Sequence, residues 1–353
     1  MASTLLYHQR ADPVPKRRKL SWFLLALIIL ALGVWANNSS WLYGPGNAGV
    51  TLLAHRGVHQ MFHRKDLTND TCTASRIDKP RHGFLENTLP SMKAAFASGA
   101  DIVEFDVHPT TDGQFAVIHD WTLDCRTDGK GVTREHSLAE LKALDIGYGY
   151  TADGGKTYPF RGKGVGAMPS LDEVFAHFPD KRFLINIKSD GRAEGDLLAA
   201  RLAQLAPEQR VLLMAYGGAR PIERLKAKLP DLKVMSKATL KRCLLRYISL
   251  GWTGYVPKAC HNSLLLVPIN VASWIWGYPH KFVARMQAVG TQVFITGIYS
   301  GNGTTGIDNE QLLMRLPRSF DGGIWTNRIE LIGPIIRKGT NRIPDKAKLS
   351  SMF

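Results

Sequence analysis

Ala54-His55-Arg56-Gly57 closes an apolar run with an imidazole and a guanidinium side by side, followed by glycine. That order suits an anion site: arginine clamps paired oxygens, histidine moves a proton, and glycine lets backbone approach. Alone it is a weak signal, because a surface His-Arg pair is the commoner explanation for such a tripeptide. Ile102-Val103-Glu104-Phe105-Asp106-Val107 says more. In a strand the i and i+2 side chains share a face, so Glu104 and Asp106 point the same way. Two carboxylates inside an apolar strand repel one another unless a cation or an arginine bridges them. Oxygen ligands of this type suit Mg²⁺ or Ca²⁺. A solvated strand face is the competing reading, and the apolar neighbours weaken it. Val117-Ile118-His119-Asp120 then supplies a second imidazole, with a carboxylate beside it that can orient it.

Positioning such groups requires strands that end together. Short apolar runs predict strands at 51–54, 102–107, 115–119, 183–187, 211–215, 233–236, 293–296 and 323–326. Amphipathic patterns predict helices at 88–98, 137–144, 170–177, 193–205, 220–228 and 279–289. This alternation argues for a parallel sheet with crossover helices, either a barrel or a doubly wound sheet. The stretch 237–278 breaks the rhythm; it contains Cys243, Cys260 and the apolar run Leu264-Leu265-Leu266-Val267-Pro268. A single α/β barrel can use a chain of 353 residues undivided.

The formal charge of +15 is distributed unevenly. Residues 1–19 and residues 337–353 each carry a net +4, which leaves +7 for everything between. Basic tails suit an anionic membrane surface. Nucleic-acid binding is not expected, since no basic stripe with interleaved aromatics is evident. Lys16-Arg17-Arg18-Lys19 precedes an uncharged run from Leu20 to Ala36, with Trp22 and Trp35 near its ends. Its 17 residues reach about 25 Å, enough to span a bilayer with slight thinning. Basic clusters stay cytoplasmic, which puts the remainder of the chain outside, as on a bacterial inner membrane facing the periplasm. The rival reading is a signal peptide cleaved near Val34-Trp35-Ala36, although signal cores are shorter. The resulting division is a basic cytoplasmic tail (1–19), an anchor (20–36), a linker (37–50), a catalytic body (51–336) and a basic tail (337–353).

Taken in order, the motifs resemble the glycerophosphodiester phosphodiesterase family. His55-Arg56-Gly57, Glu86-Asn87-Thr88, Glu104-x-Asp106-Val107, Thr111-Asp112-Gly113 and His119-Asp120 with Arg126-Thr127 follow that family's sequence. Met168-Pro169-Ser170-Leu171, Ile185-Asn186-Ile187-Lys188 and Gly323-Ile324-Trp325-Thr326-Asn327 continue it, so the resemblance covers about residues 51–333. Each motif is loose alone, but their shared order is not. The resemblance implies a TIM (β/α)8 barrel with its site at the C-terminal ends of the strands. It implies a divalent cation, Mg²⁺ or Ca²⁺, and hydrolysis of a glycerophosphodiester to glycerol phosphate and an alcohol. His55 and His119 would be acid and base, Glu104 and Asp106 metal ligands, and Arg56 and Lys188 phosphate clamps. Glu86 would support this shell or complete it.

Three departures from the family pattern bear on function. The third metal carboxylate of the family is Asn186 here, which predicts weaker metal binding. A long loop, 58–85, separates His55 from Glu86 and carries His59, His63, Cys72 and His82. Because Cys72 and Cys125 both fall on the rim that the resemblance implies, a Cys72–Cys125 bridge would staple this loop beside the site. Cys243–Cys260 is the other half of that pairing, one of three possible connectivities, with four buried thiols as the alternative. The family's seventh strand is replaced by Val293-Phe294-Ile295-Thr296-Gly297, and Trp274, Trp276 and Tyr278 offer an apolar shelf near membrane, substrate or core. The readings therefore differ in substrate: small glycerophosphodiesters, lysolipids in a lysophospholipase D or phospholipase D manner, or an inactive envelope barrel that only binds ligand.

Overall fold

The structure, a computed structural model, describes residues 16–46, 49–68, 71–301, 305–338 and 341–344. Its strands are β1 (Thr51–His55), β2 (Ile102–Pro109), β3 (Phe115–Val117), β4 (Arg182–Ile187), β5 (Leu213–Gly217), β6 (Lys233–Ser236), β7 (Leu264–Pro268), β8 (Gln292–Thr296) and β9 (Gly323–Thr326). All except β3 run parallel, in the order β6-β5-β4-β2-β1-β9-β8-β7. A parallel bridge between Val234 and Ser263 draws the two end strands together. The fold is a nearly closed TIM barrel, and the doubly wound alternative is excluded.

Alternation within each strand builds the interior. Leu53, Ile102, Leu184, Met214, Met235, Leu264, Phe294 and Trp325, one from each barrel strand, form a single buried cluster inside the barrel. The opposite faces of the same strands, such as Leu52, Val103 and Ile185, pack outward against the helices in the main core. Several helices begin at side-chain caps. Ser170 accepts from the Glu173 amide and Glu173 reaches back, which starts Leu171–His177 right after Pro169. A separate core joins Ala74, Ile77 and Leu85 of the 58–85 loop to Ile118, Leu123, Ile146 and Tyr150. The loop is thus a packed part of the domain.

Two expectations need correction. The run at 115–119 is not a barrel strand: β3 ends at Val117 and pairs antiparallel with the outer end of β2. The eighth barrel strand is instead β7, inside the stretch that broke the rhythm. A short apolar run has the same periodicity in either role, so only its neighbours decide. Within 237–278, Lys237–Leu250 is a helix capped by Ser236, and Cys243 is bonded to Cys260 in the turn before β7. The run at 211–215 starts later, at Leu213, because Pro207–Arg210 forms a helical turn.

The N-terminal helix spans Lys16–Asn38, and its Leu20–Asn38 portion is long and apolar enough to cross a membrane, as a span or a signal sequence is. The stretch expected as linker is docked. Asn38 Nδ2 donates to the Trp252 carbonyl at 2.8 Å, Arg285 donates to Asn38 Oδ1 at 2.8 Å, and Ser40 donates to the Gly277 carbonyl at 2.6 Å. Gly46 N reaches Asp321 Oδ2 at 2.6 Å. Trp252 precedes β7 and Asp321 precedes β9, so the helix meets the barrel at the N-terminal ends of the strands. Most of both basic tails, residues 1–15 and 345–353, lies outside the described residues.

Candidate active site

One pleat above the interior apolar layer, the inward positions turn polar. Two residues on from Leu53, Ile102, Leu184 and Met214 come His55, Glu104, Asn186 and Tyr216. A period of two therefore places these four side chains in one layer near the C-terminal ends of β1, β2, β4 and β5. Register completes it: His55 pairs with Glu104, Asp106 with Asn186 and Asn186 with Tyr216.

β1 ends in a left-handed turn, Arg56 at φ 58° and Gly57 at φ 76°. A Cβ at Gly57 would collide with the Ser91 side chain, so only glycine fits. Ser91 Oγ donates to the carbonyls of Arg56 at 3.1 Å and Val58 at 2.9 Å, tying the turn to helix Leu89–Ala97. The turn brings the Arg56 guanidinium to Glu86 at 3.0 Å and to Asp106 at 3.2 Å. Its backbone N–H donates to Glu104 at 3.1 Å.

Asp106 is fully buried and surrounded by donors. Asn87 Nδ2 reaches Oδ2 at 3.0 Å, Asn186 Nδ2 reaches Oδ1 at 2.7 Å, and Lys188 Nζ lies 3.7 Å from Oδ1. Burial alone would raise its pKa, but Arg56 and then Lys188 hold it well below the usual carboxylate range. Glu104 behaves oppositely. Burial first, then the neighbouring Asp106 charge, push it well above that range, although Tyr216 donates to it at 2.7 Å.

The two histidines have unlike partners. His55 Nδ1 lies 2.6 Å from Asn327 Oδ1. Asn327 donates its Nδ2 to Asp308 at 2.8 Å, which fixes the amide so that its oxygen faces His55. Nδ1 therefore carries the proton and Nε2 presents its lone pair, 3.7 Å from Glu104. Burial, then Arg56, lowers the His55 pKa well below normal. His119 Nδ1 instead donates to the Asp120 carboxylate at 2.8 Å. Asp120 is gripped by Arg126 through Nε at 3.1 Å and Nη2 at 3.2 Å. Arg126 also reaches Glu86 at 3.1 Å and the Tyr150 hydroxyl. Burial and Arg56 lower the His119 pKa too, with Asp106 and Asp120 opposing.

The carboxylates Glu86, Glu104, Asp106 and Asp120 thus outnumber the cations Arg56, Arg126 and Lys188 around the site. The deficit falls on Glu104. Among the described residues, no three His, Cys, Asp or Glu side chains form a metal cluster. The oxygen groups gathered around β2 are Glu104, Asp106 and the Asn186 amide, whose N–H₂ is committed to Asp106. Such a hard donor set with surplus negative charge fits Mg²⁺ or Ca²⁺. Both oxygens of Glu86 are taken by guanidiniums, which makes it a support for Arg56 and Arg126.

The sequence-derived residues His55, Arg56, Glu86, Glu104, Asp106, His119, Asn186 and Lys188 all lie in this cluster, whereas the Cys243–Cys260 disulfide lies away from it, beside Thr291 before β8. Sequence reading missed Tyr216, Asp308 and His108, and named His59 only as one of the loop histidines. Tyr216 was detectable as the inward partner two residues after Met214; nothing local marks Asp308. His59 is buried edge-on to His55, with ring centroids 5.9 Å apart. His108 holds the His119 carbonyl at 3.3 Å, and burial pushes its pKa down to about 4. Cys72 and Cys125 form a disulfide, with Cα atoms 5.4 Å apart, and so fasten the 58–85 loop to the segment after His119.

Residues 55–204 match the profile of the Glycerophosphoryl diester phosphodiesterase family. A glycerophosphodiester phosphodiesterase of Caldanaerobacter subterraneus subsp. tengcongensis is 43% identical over 103 residues, 29% of this chain and 39% of that protein. One from Bacillus subtilis is 38% identical over 170 residues, 46% of this chain and 48% of that protein. The matched regions thus span less than half the length of these relatives. The crystal structure of a glycerophosphodiester phosphodiesterase from Agrobacterium tumefaciens shares the fold, with a TM-score of 0.52 over 80% of this chain and 99% of that chain at 19% identity. Residues 55–204, which carry His55, Glu104, Asp106, His119 and Asn186, are thus similar to the glycerophosphoryl diester phosphodiesterase family, on a barrel of the same fold.

Proposed function

We propose that the chain hydrolyses small glycerophosphodiesters to glycerol phosphate and an alcohol, using a divalent cation and two histidines at the C-terminal rim of the barrel. The observation that carries this reading is the unequal pairing of the histidines around one buried carboxylate. His55, backed by a neutral amide and with Nε2 free, is the base that takes a proton from the attacking hydroxyl. His119, backed by an Asp120 carboxylate, can hold a proton as imidazolium and give it to the leaving alkoxide. The P–O bond to the alcohol breaks as the new P–O bond forms. Arg56 and Lys188 bind and orient the phosphoryl oxygens. Tyr216 and the Arg56 backbone N–H orient Glu104, while Asn87 orients Asp106. A cation held by Glu104, Asp106 and the Asn186 carbonyl would neutralise charge developing on the phosphoryl oxygens.

The site side chains cluster at the strand ends opposite those that meet the N-terminal helix. That separation favours a water-soluble, deacylated substrate over a lysolipid still embedded in a bilayer. With Leu20–Asn38 read as an anchor, the barrel would sit outside the cytoplasm, where both disulfides persist. The test is a substrate screen of the full chain with Mg²⁺ or Ca²⁺, following glycerol phosphate and free choline or ethanolamine. Turnover of glycerophosphocholine or glycerophosphoethanolamine well above that of the matching lysolipids is expected. Preference for the lysolipid would select the phospholipase D-like reading. Ligand binding without turnover under any divalent ion would make the barrel a binding protein.

A further inference from the structure

Between Asp231 and Asp308 the chain has no acidic residue, yet it contains eight lysines and arginines. Half of them sit on helix Lys237–Leu250. That helix turns Cys243 and Tyr247 into the protein and leaves Lys241, Arg242, Leu245, Arg246 and Ile248 exposed. Among the described residues, none of Lys237, Lys241, Arg242 and Arg246 makes an ion pair. Leu245 is 56% exposed and Trp274 is 82% exposed. Burying such residues is favourable and nothing in the domain buries them.

These groups are continuous with the base of the N-terminal helix. Asn37 and Asn38 both donate to the Trp252 carbonyl. Arg285 ties Asn37 and Asn38 to the Tyr247 hydroxyl at 3.1 Å and the Gly251 carbonyl at 3.2 Å. The Trp276 indole donates to the Ile248 carbonyl at 2.8 Å, so Trp276 lies beside the same helix end, with the exposed Trp274 two residues before it in the chain. The arrangement is graded along the helix axis. Ile248, Leu250 and Trp252 lie at the end that meets the N-terminal helix. At 1.5 Å rise per residue, Arg246 is roughly 6 Å and Lys237 roughly 20 Å further along the axis from Leu250. Apolar and indole groups next to the span, with cations beyond them, match the order of acyl boundary and phosphates in a bilayer.

We propose that this face, Lys237–Leu250 with Trp252, Tyr255, Trp274 and Trp276, rests in the headgroup layer of an anionic membrane, the same one that Leu20–Asn38 enters. The inference rests on reading Leu20–Asn38 as a retained span, and does not depend on the catalytic reading. Basic side chains near an anionic lipid surface are attracted to it, so lipid charge should control the contact. The barrel would then be held at a fixed tilt instead of swinging on its anchor.

The test uses the full chain, first floated with vesicles and then placed in nanodiscs of phosphatidylcholine alone or with phosphatidylglycerol. Amide hydrogen exchange is followed in 237–255 and 273–277. Several-fold slower exchange in the phosphatidylglycerol discs is expected, and K241E/R242E/R246E should abolish the difference. Equal exchange in both discs for a chain that floats overturns the proposal while leaving the anchor intact. Protection that ignores lipid charge and grows with the number of chains per disc would assign the face to a second copy and overturn it as well. A chain that does not float overturns the anchor reading and this inference together.

Discussion

Two groups of charges share the rim at the C-terminal ends of the strands and differ in how they are balanced. Glu86, Arg126 and Asp120 form a closed clamp: Arg126 holds both carboxylates and Arg56 takes the remaining Glu86 oxygen. Asp120 and Glu86 are consequently held below their ordinary pKa despite burial, through Arg126 first. Glu104 and Asp106, on β2, are open. Asp106 is satisfied by Arg56 and Lys188, whereas Glu104 is left as the carboxylate that burial and its neighbour push up. The balanced group has the character of scaffold and the unbalanced group that of a working site, since an uncompensated buried charge persists only where something else stabilises it.

The sharpest way to test that contrast is through the histidines. His119→Asn and His55→Asn should each cut kcat by roughly 10²–10⁴-fold, with the unfolding midpoint in urea nearly unchanged. A loss of stability as large as the loss of rate would place them in the scaffold instead. Arg126→Ala should lose stability as well as rate. Leaving Glu86 and Asp120 buried without their partner costs about 3–5 kcal/mol of folding free energy, and activity should fall because His119 loses its orientation. An Arg126→Ala protein as stable as wild type would break the comparison.

Smaller effects are expected on the metal side. Asn186→Glu restores a third carboxylate beside Asp106 and should lower the cation concentration for half-maximal activity by about tenfold, or 1.4 kcal/mol. Identical midpoints would show that position 186 does not face the ion. The finest distinction lies in pH. Glu104 has a folded-state pKa above its unfolded value, so its contribution is full below the unfolded pKa and is lost as pH rises. Asp120 has a folded-state pKa below its unfolded value, so its contribution is present above the unfolded pKa and is lost as pH falls. In chelator, Glu104→Gln should therefore flatten the neutral side of the Tm–pH curve and Asp120→Asn the acid side, each by on the order of 2–4 °C. Parallel slopes in the two variants would mean that the groups are not differently balanced.

Much of this was legible from local pattern. β2 was visible as an apolar strand with two carboxylates on one face, and β6 and β9 match their expected limits of 233–236 and 323–326. Helix Leu171–His177 falls within the helix expected at 170–177, directly after the Met168-Pro169-Ser170-Leu171 motif. The failures have a common cause. β3 and β7 are both short apolar runs, and nothing in three to five residues says whether a strand pairs antiparallel with a neighbour or closes a barrel. Tyr216 lay in plain alternation after Met214, but its importance comes from Glu104, 112 positions earlier.

The amino-acid sequence by itself determined which side chains face inward, because alternation along a strand is a property of the backbone. It also determined the order of motifs that marks the family, and a helix apolar enough to enter a membrane. Only the tertiary structure decided what each inward group would meet. His55 faces an amide 272 positions away, itself fixed by Asp308, while His119 faces the carboxylate next to it. In the proposed mechanism that difference is what would separate a base from an acid among two otherwise identical imidazoles. The placement of the N-terminal helix at the strand ends opposite the site was likewise decided by hydrogen bonds from Asn38, Ser40 and Gly46 to distant loops. Local periodicity assigns a face; proton position and orientation toward a membrane depend on partners that come near only when the barrel closes.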